Sequence, residues 1–226
     1  MLLRIPSVLT PEQVAECAGA LHAADWSDGR DTAGYLSRRV KDNEQLPEGH
    51  PLARRLGNLI LDALDKNQLF ISAALPLKVV PPLFNRYIGG GSYGDHIDGA
   101  VRPVFGTPHR VRTDLSATVF LSKPEDYEGG DLIVEQGSGT QRIKLAAGDM
   151  ILYPGTTIHR VEPVTRGARI AAFFWIQSMV REEAKRDVLF EIDTALQQLG
   201  GEIGGNPALV KIAGAYHNLL RLWSDT

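Results

Sequence analysis

From Leu77 to Gln177 the chain is written in short apolar, β-branched runs cut by Gly, Pro and Asp. Runs of this length are too short for helices, and their even spacing is that of a sandwich or barrel of strands. The candidate strands are Val79 to Tyr87, interrupted near Pro81-Pro82, then Tyr93 to Ile97, Leu115 to Leu121, Asp131 to Glu135, Gln141 to Leu145, Met150 to Tyr153, Thr157 to Val164 and Arg169 to Ile176. Glu128-Gly129-Gly130-Asp131 marks a turn, and Gln136-Gly137-Ser138-Gly139 marks a hairpin loop.

The flanks read differently. Leu2 to Leu9 is an edge strand or extended arm. Thr10-Pro11-Glu12-Gln13 opens a helix, with Thr10 as cap, Pro11 in the first turn and Gln13 closing a capping box. Asp25 to Glu48 is polar and without period, so it reads as loop with a short strand around Thr32 to Leu36. Pro51 to Asn67 carries Leu52, Leu56, Leu59, Ile60 and Leu64 on one helical side. After Gln177, Val188, Ile192, Ala195 and Leu199 predict a helix ended by Gly200-Gly201. A second begins at Gly204-Gly205-Asn206-Pro207, with Leu209, Ile212, Tyr216, Leu219 and Trp223 as its apolar stripe. The expected organisation is N-terminal helical support over 1–77, a β core over 78–178 and a two-helix extension over 179–226. The extension is read as packing on the core, with a homo-oligomer contact as the alternative.

Composition narrows the function. The 226 residues suffice for one substantial domain, and a net charge of −3 offers no basic footprint for nucleic acid. Cys17 is the one cysteine, so no intrachain disulfide or thiolate cluster forms. No signal peptide or membrane-length apolar window is evident, and a cytoplasmic location is expected.

Chemistry concentrates between Tyr93 and Arg169. In a strand of period two, His96 and Asp98 share a face. His159 comes from a separate strand and offers a third ligand. Two neutral imidazoles and a carboxylate on one face leave open positions that suit Fe(II) and O2 chemistry. Arg169 follows ten residues after His159, and a turn at Thr165-Arg166-Gly167 would bring it back near the metal. Its neighbours Ile170 to Trp175 are apolar, which implies partial burial, and a buried guanidinium needs a partner: a scaffold carboxylate or the carboxylate of a bound acid. The stretch from Gly99 to Thr113 reads as a long loop near the site, carrying Arg102, His109, Arg110 and Arg112. His109 ranks as a weaker ligand candidate and Asp95 as an outlying acid. His22, His50 and His217 fall in helical flanks.

The order His96-x-Asp98, His159, Arg169 resembles the Fe(II)/2-oxoglutarate dioxygenases. Phe84-Asn85-Arg86-Tyr87, Gly129-Gly130-Asp131-Leu132, Gly148 to Pro154 and His159 to Val164 sharpen the resemblance to the prolyl/lysyl-hydroxylase-like branch. These motifs closely resemble the bacterial PKHD-type hydroxylases of the PiuC kind. The likeness covers about residues 78–178, and the helical tail resembles that group's C-terminal extension. The resemblance implies a mainly β protein with flanking helices, built on a double-stranded β-helix (jelly-roll) core. It implies Fe(II) on His96, Asp98 and His159, with 2-oxoglutarate and O2 as co-substrates and L-ascorbate as reductant. Arg169 would hold the co-substrate's distal carboxylate, helped by Tyr87. The expected reaction is hydroxylation of a small-molecule or peptide substrate, with no nucleic-acid partner and no membrane. A jelly-roll metalloenzyme of another reaction class and a non-catalytic iron or 2-oxoglutarate sensor stand as alternatives.

Overall fold

The structure is a computed structural model describing residues 1–32, 34–35, 37–137, 139–203 and 205–225. It begins with β1 (Leu3–Ile5), α1 (Pro11–His22), β2 (Ser27–Asp28), β3 (Lys41–Asp42), β4 (Glu44–Gln45), α2 (Pro51–Leu64) and α3 (Gln68–Ala74). Strands then dominate: β5 (Pro76–Val79), β6 (Leu83–Ile88), β7 (Ser92–His96), β8 (Val101–Pro103), β9 (Arg110–Arg112), β10 (Leu115–Phe120), β11 (Tyr127–Gly129), β12 (Leu132–Gln136), β13 (Gly139–Ile143), β14 (Met150–Pro154), β15 (His159–Val161) and β16 (Val164–Ser178). Two helices follow, α4 (Glu183–Ile203) and α5 (Pro207–Trp223).

Among the described residues, the larger sheet runs β1-β14-β10-β16-β6-β4-β2, with β5 and β11 also pairing with β16. The smaller sheet runs β13-β12-β15-β7-β3, and β8 with β9 forms a separate hairpin. All pairings are antiparallel. This is a mainly β architecture with flanking helices, a double-stranded β-helix whose two sheets enclose the candidate site.

Alternation along β10 explains why the sheets stack this way. Leu115, Ala117 and Val119 join Phe84, Leu152, Phe174 and the buried faces of α1, α2 and α3 in one apolar cluster. Phe120 turns the other way, into a second cluster with Tyr87, Tyr127, Leu132 and Ile151. Each fully buried side chain of this size contributes about 1.5–3 kcal/mol of transfer free energy. The helix starts are capped as expected. Thr10 Oγ1 accepts from the Gln13 amide at 3.3 Å, and Gln13 Oε1 accepts from the Thr10 amide at 2.9 Å. Asn206 caps α5 in front of Pro207.

Several expectations need correction. The polar segment from Asp25 to Glu48 supplies β2, β3 and β4 rather than plain loop. The strand expected around Thr32 to Leu36 is a 3-10 turn at Gly29–Thr32, with Ala33 and Leu36 outside the described residues. The expected hairpin loop joins β12 to β13, with Ser138 outside the described residues. Gly200-Gly201 does not end α4, which continues to Ile203, while Gly204 lies outside the described residues. Two consecutive glycines lower helix propensity but clash with nothing, and a helix already nucleated can run through them. Thr165-Arg166-Gly167 is not a turn. It lies inside the long strand β16, where Gly167 pairs with Tyr127 at φ +73°. Gly99 to Thr113 is a hairpin rather than an open loop.

The C-terminal helices dock on α3. Leu75, Val180, Leu189 and Tyr216 form their shared core, and Asp193 accepts a hydrogen bond from Ser72. Ile212, expected in the buried stripe, is exposed. No helix among the described residues is long and apolar enough to cross a membrane.

Candidate active site

The smaller sheet brings two histidines face to face. His96 at the end of β7 and His159 at the start of β15 are direct cross-strand partners, with ring centroids 4.2 Å apart. Asp98 lies just past β7, so strand periodicity does not place it; the chain continues beyond the strand end and still delivers its carboxylate to the histidines. Asp98 Oδ2 is 3.8 Å from His159 Nε2 and accepts a hydrogen bond from Ser116 Oγ at 2.6 Å. Ser116 belongs to β10, so the opposite sheet orients the carboxylate. One donor atom from each of His96, Asp98 and His159 lies within 4.8 Å of the others.

Their protonation suits a cation. His96 Nδ1 is 2.7 Å from the Gly94 carbonyl, and His159 Nδ1 is 3.0 Å from the Thr157 carbonyl. A carbonyl oxygen only accepts, so each Nδ1 carries the proton and each Nε2 presents a lone pair. Burial, reinforced by the nearby His159, pushes the His96 pKa down to about 4, which keeps its ring neutral. Tyr93 stacks on that ring at 3.6 Å and fixes its plane. Two neutral imidazole nitrogens and one carboxylate can hold a divalent ion such as Fe(II) while leaving positions open.

The larger sheet supplies the second pole. Arg169 of β16 and Tyr87 of β6 are cross-strand partners, and both are 1% exposed. The guanidinium sits 5.3 Å from the Tyr87 ring and 5.2 Å from the Phe120 ring. Among the described residues it forms no salt bridge, and its Nε has no hydrogen-bond partner. The buried Tyr127 hydroxyl is likewise unsatisfied. A buried guanidinium without an acid is costly, and a bound carboxylate relieves that cost in the bidentate geometry that arginine favours. Burial pushes the Tyr87 phenol up to about 12 against the pull of Arg169, so it stays protonated and able to donate. Gly130 leaves room for this arrangement. At φ +67°, a Cβ there would meet Val164 Cγ2 at 2.7 Å and Arg169 Cδ at 3.1 Å.

One cavity joins the two poles. All five sequence-predicted site residues, His96, Asp98, His159, Arg169 and Tyr87, line it, and Arg102 enters it from the β8–β9 hairpin. His109 is exposed on that hairpin. Asp95 is exposed and pairs with Arg160 at 3.2 Å. His50 caps α2, and His22 and His217 lie on α1 and α5. Sequence reasoning missed Ser116, Tyr127 and Lys41. Ser116 left a signal: Ser116 and Thr118 are polar at alternate positions of an otherwise apolar strand.

Residues 82–177 match the 2OG-Fe(II) oxygenase superfamily, and residues 183–225 match the PKHD-type hydroxylase C-terminal domain. The PKHD-type hydroxylase PiuC of Pseudomonas aeruginosa is 56% identical over 225 residues, covering all of both chains. A PKHD-type hydroxylase of Burkholderia thailandensis is 58% identical over 226 residues, again covering all of both chains. The chain belongs to the PKHD-type hydroxylases. Membership in this family makes it an oxidoreductase of the 2OG-Fe(II) oxygenase class and implies Fe(II) and 2-oxoglutarate. Among solved structures, a Pseudomonas putida prolyl-4-hydroxylase superposes with a TM-score of 0.54 at 21% identity, covering 78% of this chain and 92% of that one. A Trichoplax adhaerens prolyl hydroxylase gives 0.54 at 15% identity, covering 83% and 86%. At these identities the likeness shows the fold. In this PKHD-type hydroxylase the C-terminal match coincides with α4 and α5, the pair docked on α3.

Proposed function

We propose that His96, Asp98 and His159 hold Fe(II) and that Arg169, with Tyr87 and Tyr127 beside it, holds the distal carboxylate of 2-oxoglutarate. Bound together with O2, these supply oxidative decarboxylation of the oxo acid to succinate and CO2, coupled to hydroxylation of a substrate C–H bond. The chain's own part is positioning and electrostatics. The Gly94 and Thr157 carbonyls fix both imidazole tautomers. Ser116 holds the Asp98 carboxylate toward the histidines. The buried side chains of Leu132 and Tyr153 line the space between the poles and limit the water that can enter it. The substrate is a small molecule or peptide, ascorbate keeps the iron ferrous, and the enzyme works in the cytoplasm.

The observation that carries this reading is the buried, unpaired guanidinium of Arg169 in the same cavity as a three-ligand metal cluster. Anaerobic titration of the metal-free protein with Fe(II) and then 2-oxoglutarate tests it. The expected result is the weak visible charge-transfer band of the chelated oxo acid, with 2-oxoglutarate affinity sharply reduced in Arg169→Ala. Iron binding without a band would reject the co-substrate assignment. Catalytic succinate release, beyond one equivalent per protein, rejects a sensor role.

A further inference from the structure

The cavity holds a cation that the proposed metal and co-substrate do not use. Lys41 of β3 pairs with Tyr93, the residue stacked on His96. It is 6% exposed and lines the same cavity as His96, Asp98 and Arg169. Its Nζ donates to Thr32 Oγ1 at 3.1 Å and to Gln45 Oε1 at 3.0 Å, both neutral acceptors. An ammonium has three N–H bonds, so one is left without a hydrogen-bond acceptor; the Tyr93 ring, 5.4 Å from Nζ, offers it only the weaker attraction of a π face. Among the described residues no carboxylate lies within 4.0 Å of it. Burial, then Arg102, pushes its pKa down to about 8, while Asp28, Asp98 and Glu48 pull it up from longer range. Lys41 therefore remains charged at neutral pH in a place that penalises charge.

Charge balance in the loaded cavity points the same way. Dianionic 2-oxoglutarate would offset Fe(II), and Arg169 offsets Asp98. Arg102 is paired with Glu48. Among the described residues, Lys41 is the charge left without a counterpart. The surroundings indicate what lies beside that counterpart. The Arg102 guanidinium covers the Trp175 ring at 5.0 Å, and Phe173 meets Trp175 edge-on at 5.6 Å. Thr32 joins this apolar wall to Lys41, because its hydroxyl accepts from Lys41 and its carbonyl accepts from Arg102 at 3.4 Å.

We propose that the substrate carries a carboxylate, that Lys41 binds it, and that Trp175 and Phe173 pack against the apolar group next to it. This rests on the iron and 2-oxoglutarate reading above, which leaves Lys41 free for the substrate.

The test uses protein loaded anaerobically with Fe(II) and saturating 2-oxoglutarate. It is titrated with 3-phenylpropanoate and separately with its neutral isostere 3-phenylpropanamide, followed by ligand NMR line broadening. The wild type is expected to bind the acid at least about tenfold more tightly, the scale of one charge-assisted hydrogen bond. Lys41→Met removes the preference, Lys41→Arg retains it, and 2-oxoglutarate affinity read from the visible band is unchanged in both. Equal affinity for acid and amide, no binding of the acid, or a preference that survives in Lys41→Met overturns the proposal. So does a loss of 2-oxoglutarate affinity in Lys41→Met with the preference intact, since Lys41 would then serve the co-substrate. If Lys41→Met fails to fold, Thr32→Val replaces it: removing the hydroxyl that positions Nζ should weaken the acid and leave the amide unchanged, and no change in either overturns the proposal. A missing 2-oxoglutarate band in the wild type would instead sink the hydroxylase reading. The same pair of probes on metal-free protein then decides the anion site alone, by whether the preference depends on Lys41.

Discussion

Leu115, Ala117 and Val119 point from β10 toward the helices, while Ser116, Thr118 and Phe120 point from the same strand toward the smaller sheet. The helix-facing side is apolar and complete. Its cluster draws on α1, α2, α3 and the larger sheet. The inner side is incomplete. Around it Arg169 Nε, the Tyr127 hydroxyl and Asn85 Oδ1 are buried without partners among the described residues. Unsatisfied polar groups cost stability, so a face that keeps them is shaped for something that binds there. One strand thus serves two purposes: one face holds the fold together, and the other gives up stability to hold ligands.

Substitutions on the two faces should separate activity from stability. The largest effect is expected from Asp98→Ala. Removing the carboxylate leaves two imidazoles on an ion that needs three ligands, and succinate formation should fall to background in a coupled assay. The metal-free protein should lose far less stability than from a core truncation, because Asp98 lies outside the apolar cluster and its tie to the scaffold is the single hydrogen bond from Ser116. Full turnover at full iron occupancy would remove Asp98 from the ligand set. On the other face, Phe84→Ala should do the reverse. Phe84 is 0% exposed within the helix-facing cluster, and its loss should cost about 3–5 kcal/mol in denaturant unfolding. The iron site should persist in whatever fraction remains folded.

Acid should sharpen the contrast through His96. Its folded pKa is lowered from 6.5 to about 4. Between those values the unfolded chain binds the proton and the folded chain does not, so stability falls as pH falls through that window. By pH 5 the loss should reach on the order of 2 kcal/mol in the metal-free protein. Bound metal requires the neutral ring and should hold the site against protons, so the acid loss should grow when iron is removed. Parallel urea titrations at pH 7 and pH 5, with and without iron, measure this. A pH-independent midpoint in the metal-free protein would show that His96 is not held neutral.

The division between faces also explains what the sequence could reveal. Alternation and turn residues located most of the central strands, because a half-buried strand must alternate and a hairpin must turn. His96, Asp98, His159 and Arg169 stood out by their order and spacing and Tyr87 by the family resemblance, and the fold brings all five to one cavity. Lys41 did not stand out, because its segment is polar and without period, and two-residue strands such as β3 and β4 are fixed by tertiary pairing rather than by local preference. The Thr165 to Gly167 turn was misplaced for a related reason. A glycine at positive φ serves a strand irregularity as well as a turn, and only the pairing of Gly167 with Tyr127 tells which.

Gly130 gives the smallest and most specific test. The sequence shows it as half of a glycine pair, which reads simply as a turn. The structure adds that a methyl group there would crowd Val164 Cγ2 at 2.7 Å, Arg169 Cδ at 3.1 Å and Tyr127 Cε2 at 3.1 Å. Gly130→Ala therefore carries two costs. The left-handed backbone costs an alanine about 1 kcal/mol in stability. The crowding also displaces Arg169, whose long side chain yields more easily than the Val164 methyl group on its strand. Arg169 would keep its charge and lose its aim, so iron affinity should be unchanged while 2-oxoglutarate affinity falls about tenfold, or about 1.4 kcal/mol. The visible band titration reads this directly. A stability loss with no change in 2-oxoglutarate affinity would mean that Gly130 serves only the turn, and that the aim of Arg169 is set elsewhere, by its cross-strand partner Tyr87.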